Sequence, residues 1–239
     1  MYVKYFFILG LLIFSFYYTK EISIMLIYKS NLMNQIKDKK VLKEVEFENA
    51  IIENKYIIPG VNGVKVNELE SYYKMLNDNN IFSMNSFVFQ QVKPEISLEE
   101  NKNLIIKKGN ANKNSVSIVL EYNKIIIDYA SSLNMNFNVL VNENNFDKNA
   151  VYEQIDNSGK LHNSICFDSD ENFDNCINKY LVKCTYVIDN NTVYKYEVSA
   201  GDILYVKEIT LDNFKYLVRK INYRNIKIIF LSELISEVR

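Results

Sequence analysis

The chain has 239 residues, of which 48% are hydrophobic and 24% charged, and carries a formal net charge of −1. This is ordinary globular composition for one or two domains, and a charge so near zero excludes nucleic acid and strongly acidic partners on electrostatic grounds. A single histidine, His162, excludes a site built from several imidazoles of one chain.

The first predicted element is a membrane segment. Tyr5 to Tyr18 is an unbroken apolar and aromatic run between Lys4 and Lys20. It is short of the ~20 residues of a full span, but flanking lysines can snorkel and tyrosines suit the interface. No small-x-small cleavage site follows, since Phe16, Tyr17 and Tyr18 occupy that zone. Residues 1–28 therefore read as an uncleaved signal-anchor held in the membrane through residues 5–18, with a cleaved signal peptide as the alternative. The lysines after the run (Lys20, Lys29, Lys37, Lys39, Lys40, Lys43) would place the body on the cytoplasmic side by the positive-inside rule.

Residues 29–50 read as a stalk. Helical periodicity runs from Ile22 to Ile36, and Lys37-Asp38-Lys39-Lys40 is a solvated helix face. Residues 51–114 read as a small α+β region. Asn62-Gly63 between apolar residues is a tight-turn signal, and Asn67 with Glu70 three residues on has the spacing of a capping box. Phe87 to Val92 and Leu104 to Ile106 read as strands, and Pro94 marks an edge or a turn.

From Ser115 the rhythm is α/β. Strands are predicted at Val116–Glu121, Phe137–Val141, Leu161–Phe167, Leu181–Val187 and Ile203–Val206. Helices are predicted at Ile125–Leu133, Phe146–Asn157 and Leu211–Tyr223, before a closing strand and short helix over Ile226 to Leu234. Such alternation implies a parallel sheet or a partial barrel. Cys166, Cys176 and Cys184 lack Cys-x-x-Cys spacing, which speaks against a zinc knuckle or redox pair. They read as buried thiols or, in an oxidising compartment, as a Cys166–Cys176 disulfide. Asp168, Asp170, Glu171 and Asp174 lack the spacing of a calcium loop and read as a solvated loop, and His162 reads as a hydrogen-bonded surface or strand histidine.

Several segments together resemble another protein class: Val119-Leu120-Glu121-Tyr122-Asn123 at the end of the first α/β strand, Gly159 to Asp168, Lys183-Cys184-Thr185-Tyr186, Gly201 to Lys207, and the closing Leu231-Ser232-Glu233-Leu234. Their order is similar to that of the polysaccharide deacetylase (NodB-like) family, metal-dependent carbohydrate esterases, in the degenerate membrane-anchored form of low-GC Gram-positive bacteria. The resemblance implies an α/β fold over residues 115–239, a shortened, partly open parallel (β/α) barrel. In active members an aspartate pair after the first strand supplies a general base and a metal ligand, and histidines complete the divalent-metal site. Here Glu121 stands as a remnant base and Tyr122 replaces the metal carboxylate. Ser164 and Asp168 fall near the two histidine-ligand positions, Lys183 and Tyr186 lie in the remains of an Arg-Pro-Pro-Tyr motif, and Lys207 replaces a final histidine.

The resemblance thus implies a cleft lined by Glu121, Tyr122, Ser164, Asp168, Lys183, Tyr186 and Lys207, without the ligands for the family's zinc-like cofactor. It further implies an exported body and a non-catalytic role as a cell-wall glycan-binding or scaffold protein. Two alternatives stand beside this: an active carbohydrate deacetylase with a site rearranged around Glu121 and Asp168, and an unrelated membrane-tethered interaction protein.

Overall fold

The computed structural model describes residues 2–239 except Asn79, Glu143, 157–163 and Asn175, with side chains described from residue 9 onward. His162 lies outside the described residues. The chain divides into two units, one formed by residues 1–46 and 63–92, the other by 47–62 and 93–239.

In chain order, the first unit opens with α1 (Tyr2–Tyr28) and α2 (Asn31–Lys40). Within α1, Leu9–Tyr28 is the one stretch among the described residues long and apolar enough to cross a membrane. The helix runs ten residues past Tyr18, continuing through Lys20-Glu21 into a second apolar segment. The second unit begins with the hairpin of β1 (Ile51–Glu53) and β2 (Tyr56–Ile58), turned at Asn54 with a left-handed φ of 56°, a conformation that asparagine tolerates. β3 (Gly63–Val66), α3 (Glu68–Asn77) and β4 (Phe89–Val92) return to the first unit, β3 and β4 pairing antiparallel. Asn67 caps α3 by accepting from Glu70 N at 3.2 Å. The small core of this unit is Leu32, Met33, Ile36, Val66, Met75 and Phe87, against which Ile27 and Tyr28 from the last turn of α1 pack.

The tight-turn expectation at Asn62-Gly63 is corrected. β2 and β3 do not pair: β2 lies beside β1 and β5 (Ile105–Ile106), while Asn62 N donates to Glu237 O at 2.7 Å. The backbone polar groups around Asn62 are satisfied by the distant C-terminal segment rather than by a hairpin partner, which local turn chemistry cannot foresee.

The remainder of the second unit holds β6 (Ser115–Glu121), α4 (Lys124–Ser132), β7 (Asn138–Leu140), β8 (Glu153–Ile155), β9 (Ile165–Phe167), β10 (Tyr180–Val182), β11 (Tyr186–Ile188), β12 (Ile203–Val206), α5 (Leu211–Tyr223), β13 (Lys227–Ile228) and α6 (Leu231–Ile235). One sheet runs β11-β12-β6-β7-β8, with β13 beside the start of β6; the other runs β1-β2-β5-β10-β9. Every pairing in the two is parallel except β1–β2. The sheets meet at one margin and are joined by the chain at a second place. A parallel bridge between Asp156 and Cys166 links β8 to β9, and β10 continues through Lys183–Thr185 directly into β11. The result is a shortened, partly open parallel barrel, as the resemblance to the polysaccharide deacetylases implies.

Alternation along the strands sorts the residues. Val116, Ile118 and Leu120 of β6 face outward into the layer formed with Ile126, Ile127 and Ala130 of α4 and with α5. In α5, Phe214, Leu217, Val218 and Ile221 recur at helical spacing and are buried, and Thr210 caps its start. Val119, Ile155, Phe167, Val182, Ile203 and Tyr205 face the interior, which Leu231, Leu234 and Ile235 of α6 close from the strands' N-terminal end.

The helix predicted over Phe146–Asn157 is corrected to turns followed by β8. Short polar side chains capture the backbone there: Asn142 N donates to Asn145 Oδ1 at 2.6 Å, Asn149 N to Asp147 Oδ1 at 2.9 Å, and Asp147 N to Gln154 Oε1 at 2.8 Å. Such bonds compete with a helical ladder.

Candidate functional site

In parallel α/β sheets, ligands gather beyond the carboxyl ends of the strands. At that end Val119 pairs with Tyr205 and Leu120 with Val206. Glu121 ends β6 and Lys207 directly follows β12, and alternation puts both on the side of Val119 and Tyr205. Glu121 is exposed and Lys207 half-buried. Asp168 directly follows β9, donates its N–H to Val182 O at 3.0 Å, and accepts from Asp170 N at 2.6 Å. The Tyr205 hydroxyl reports this crowding. Its pKa is pushed up to about 12, first by burial and then by Glu121, Cys184, Asp170 and Asp168. Negative charge from β6 and from the loop after β9 therefore converges on one phenol.

Beneath these groups the interior is filled. The Phe167 and Tyr205 rings lie 5.6 Å apart, tilted by 60°, and Phe167 is fully buried. Cys184, a free buried cysteine, lies in the same interior, where burial raises its thiol pKa.

The other predicted residues are distributed differently. Tyr122 is 47% exposed, and with Glu121 and Glu208 lines a small pocket of about 80 Å³. Ser164 precedes β9 while Asp168 follows it, so at ~3.3 Å per residue the two stand at opposite ends of the strand. Ser164 lines a separate cavity of about 270 Å³ with Tyr180, Ser232 and Glu237. Tyr186 opens β11 and packs its ring 5.2 Å from Tyr196. Tyr196 belongs to the outer helical layer and donates to the buried Asp202 carboxylate at 2.8 Å.

Lys183 donates to Glu171 at 2.5 Å. The same carboxylate takes a short hydrogen bond from the Lys55 ammonium and one from the Tyr56 hydroxyl at 2.7 Å. These donors, Lys183 first, then Lys55 and Tyr56, hold the Glu171 carboxyl at about 2. Glu171 is thus tied down, not solvated as a loop reading would have it. Cys166 and Cys176 form a disulfide that closes the loop carrying Asp168, Asp170 and Glu171.

Sequence reasoning missed Lys55, Tyr56, Phe167 and Tyr205. The two interior aromatics could have been found from strand alternation. Two of the partners of Glu171, Lys55 and Tyr56, come from a hairpin over a hundred residues earlier, and no local pattern announces them.

The divalent metal used by active deacetylases does not fit the described donor set. Among the described residues no group of three or more His, Cys, Asp or Glu is gathered to hold a metal ion. Tyr122 is a poor ligand for a hard cation, and Ser164 lies at the other end of β9 from Asp168.

The fold is that of the carbohydrate esterase family 4 (CE4), the polysaccharide deacetylases. The chain is similar to BA3943 from Bacillus anthracis, a CE4 family pseudoenzyme, with a TM-score of 0.56 and 17% identity over 88% of this chain and 96% of that one. It is equally similar to a BA3943 mutant with restored enzymatic activity, with a TM-score of 0.56 and 16% identity over 88% of this chain and all of that one (100%). No family model matches the sequence. In sequence the chain is 36% identical over 93 residues to the uncharacterized protein YlxY of Bacillus subtilis (strain 168), a stretch that is 38% of this chain and 29% of that protein.

Proposed function

We propose that this is a degenerate, membrane-anchored CE4 protein whose body lies outside the cell and which binds or organises cell-wall glycan without deacetylating it. The observation that carries the reading is the barrel mouth. There Glu121, Tyr122, Asp168 and Lys207 follow or end their strands with no group of metal ligands among the described residues, and Phe167 and Tyr205 pack together in the interior below. The family reaction needs a metal to polarise the amide carbonyl and activate water, an effect worth several kcal/mol that one carboxylate such as Glu121 does not replace. The similarity in fold to a pseudoenzyme supports the same reading.

Anchoring rests on α1. An outside body is supported by the Cys166–Cys176 disulfide, because such bonds persist in oxidising compartments, and opposed by the lysines that follow the apolar run. The test is a pull-down of the detergent-solubilised full chain on insoluble peptidoglycan and on chitin. Retention that soluble oligosaccharide displaces supports glycan binding. Passage through both resins unretained contradicts it.

A further inference from the structure

The tied-down carboxylate of Glu171 marks a second site, away from the Glu121–Lys207 position and independent of it. Three donors from three segments converge on this one side chain: Lys55 from the β1–β2 turn, Tyr56 from β2 and Lys183 from the end of β10. A third lysine, Lys107, stands at the same place. The Nζ atoms of Lys55, Lys107 and Lys183 lie 5.3, 5.8 and 5.3 Å from the centroid of the Tyr56 ring. Alternation places Tyr56, Lys107 and Lys183 together on the outer face of β2-β5-β10, because Ile57, Ile106 and Val182 between or beside them point into the core. Tyr56 is thus presented by β2, Lys107 and Lys183 by the residues that directly follow the paired strands β5 and β10, and Lys55 by the tight turn that leads into β2.

Glu171 reaches them at a cost. Its φ is +63°, a left-handed conformation that a non-glycine residue with no turn-forming side chain adopts only when its surroundings over-determine it. A lone carboxylate has two oxygens, both engaged here by fixed donors. Donors in this arrangement, held in or next to strands and saturating one anion, are how proteins bind a carboxylate or phosphate from outside.

We propose that Lys55, Tyr56 and Lys183 form an oxyanion-binding site for a phosphate or carboxylate group, and that Glu171 occupies it as an internal ligand which an external oxyanion displaces. Lys107, paired with Glu53, supplies the additional positive charge that a phosphate would draw on. The chain as a whole has a net charge of −1, so the clustering is local rather than a consequence of composition.

The test is calorimetric titration of the full chain in detergent, at low ionic strength and in a cationic buffer, with inorganic phosphate and separately with sodium acetate. Glu171→Gln removes the internal negative charge with almost no change of shape, Glu171→Ala vacates the site, and thermal unfolding confirms that both are folded. The expected result is one equivalent of phosphate or acetate bound at least tenfold more tightly by both variants than by the wild type. Adding Lys183→Met to Glu171→Gln should abolish that gain. The tighter of the two probes identifies the group recognised. Equal affinity in wild type and both Glu171 variants overturns the proposal, as does binding that survives loss of Lys183, since that would be diffuse surface charge.

Discussion

Asn138 is fully buried in β7, among strands that fill the interior mostly with apolar side chains. Its amide donates to Ser117 Oγ and Ile118 O, both at 2.8 Å, and its Oδ1 accepts from Leu231 N at 2.9 Å. One side chain thus ties β6 to the first N–H of α6. An unpaired buried polar group costs ~1–3 kcal/mol. Asn138→Ala, which strands a buried backbone donor and acceptor, should lower unfolding stability by about 2–4 kcal/mol in a urea titration, far more than an exposed change such as Asn149→Ala. Glu171 gives a pH signature at the same scale. Its folded pKa of about 2 lies below its ordinary 4.5, so its stabilisation is present above pH 4.5 and is lost as the pH falls from there through 2. The unfolding midpoint of Glu171→Gln should sit below the wild type's at pH 6, and the gap should shrink steadily towards pH 3. A constant gap would show that the ion pairs contribute nothing. That Glu121 ends a strand and Lys207 directly follows one was legible in the sequence, because the alternation of β6 and β12 is plain. The Glu171 contacts were not, because sequence-distant lysines meet there only through strand order.

At the scale of elements, β6, β7, β9, β10 and β12 were legible because each lies in an apolar run bounded by turn residues. The segment Phe146–Asn157 misled because its few apolar side chains fall at a helical spacing while Asn and Asp bond their own backbone. A single predicted strand over Leu181–Val187 proves to be two, since the segment leaves one sheet after Val182 and joins the other at Tyr186. The loop between β9 and β10 owes its form to covalent chemistry. The Cys166–Cys176 bridge spans ten residues, and closing a loop of that size is worth about 2–3 kcal/mol in the chain-entropy account. Cys176→Ser should therefore lower stability by about that amount. Denatured but unreduced protein should show one reactive thiol, Cys184, and three after reduction. Three thiols before reduction would contradict the bridge.

At the scale of the whole molecule, the chain combines an apolar N-terminal helix with a body of CE4 fold in which no group of metal-ligating side chains is gathered among the described residues. The interleaving of residues 47–62 with the barrel and 63–92 with the small unit follows from pairings such as β2 with β5, which lie beyond the reach of local periodicity. The central claim is that the architecture of a metal-dependent hydrolase persists without its metal chemistry. The most direct measurement is acetate release from N-acetylglucosamine oligomers by the full chain purified in detergent, after incubation with zinc and removal of excess, with bound zinc quantified on the same sample. The account predicts zinc well below one equivalent and acetate release no faster than in buffer. One tightly held zinc per chain, with acetate release that a chelator abolishes, would contradict it.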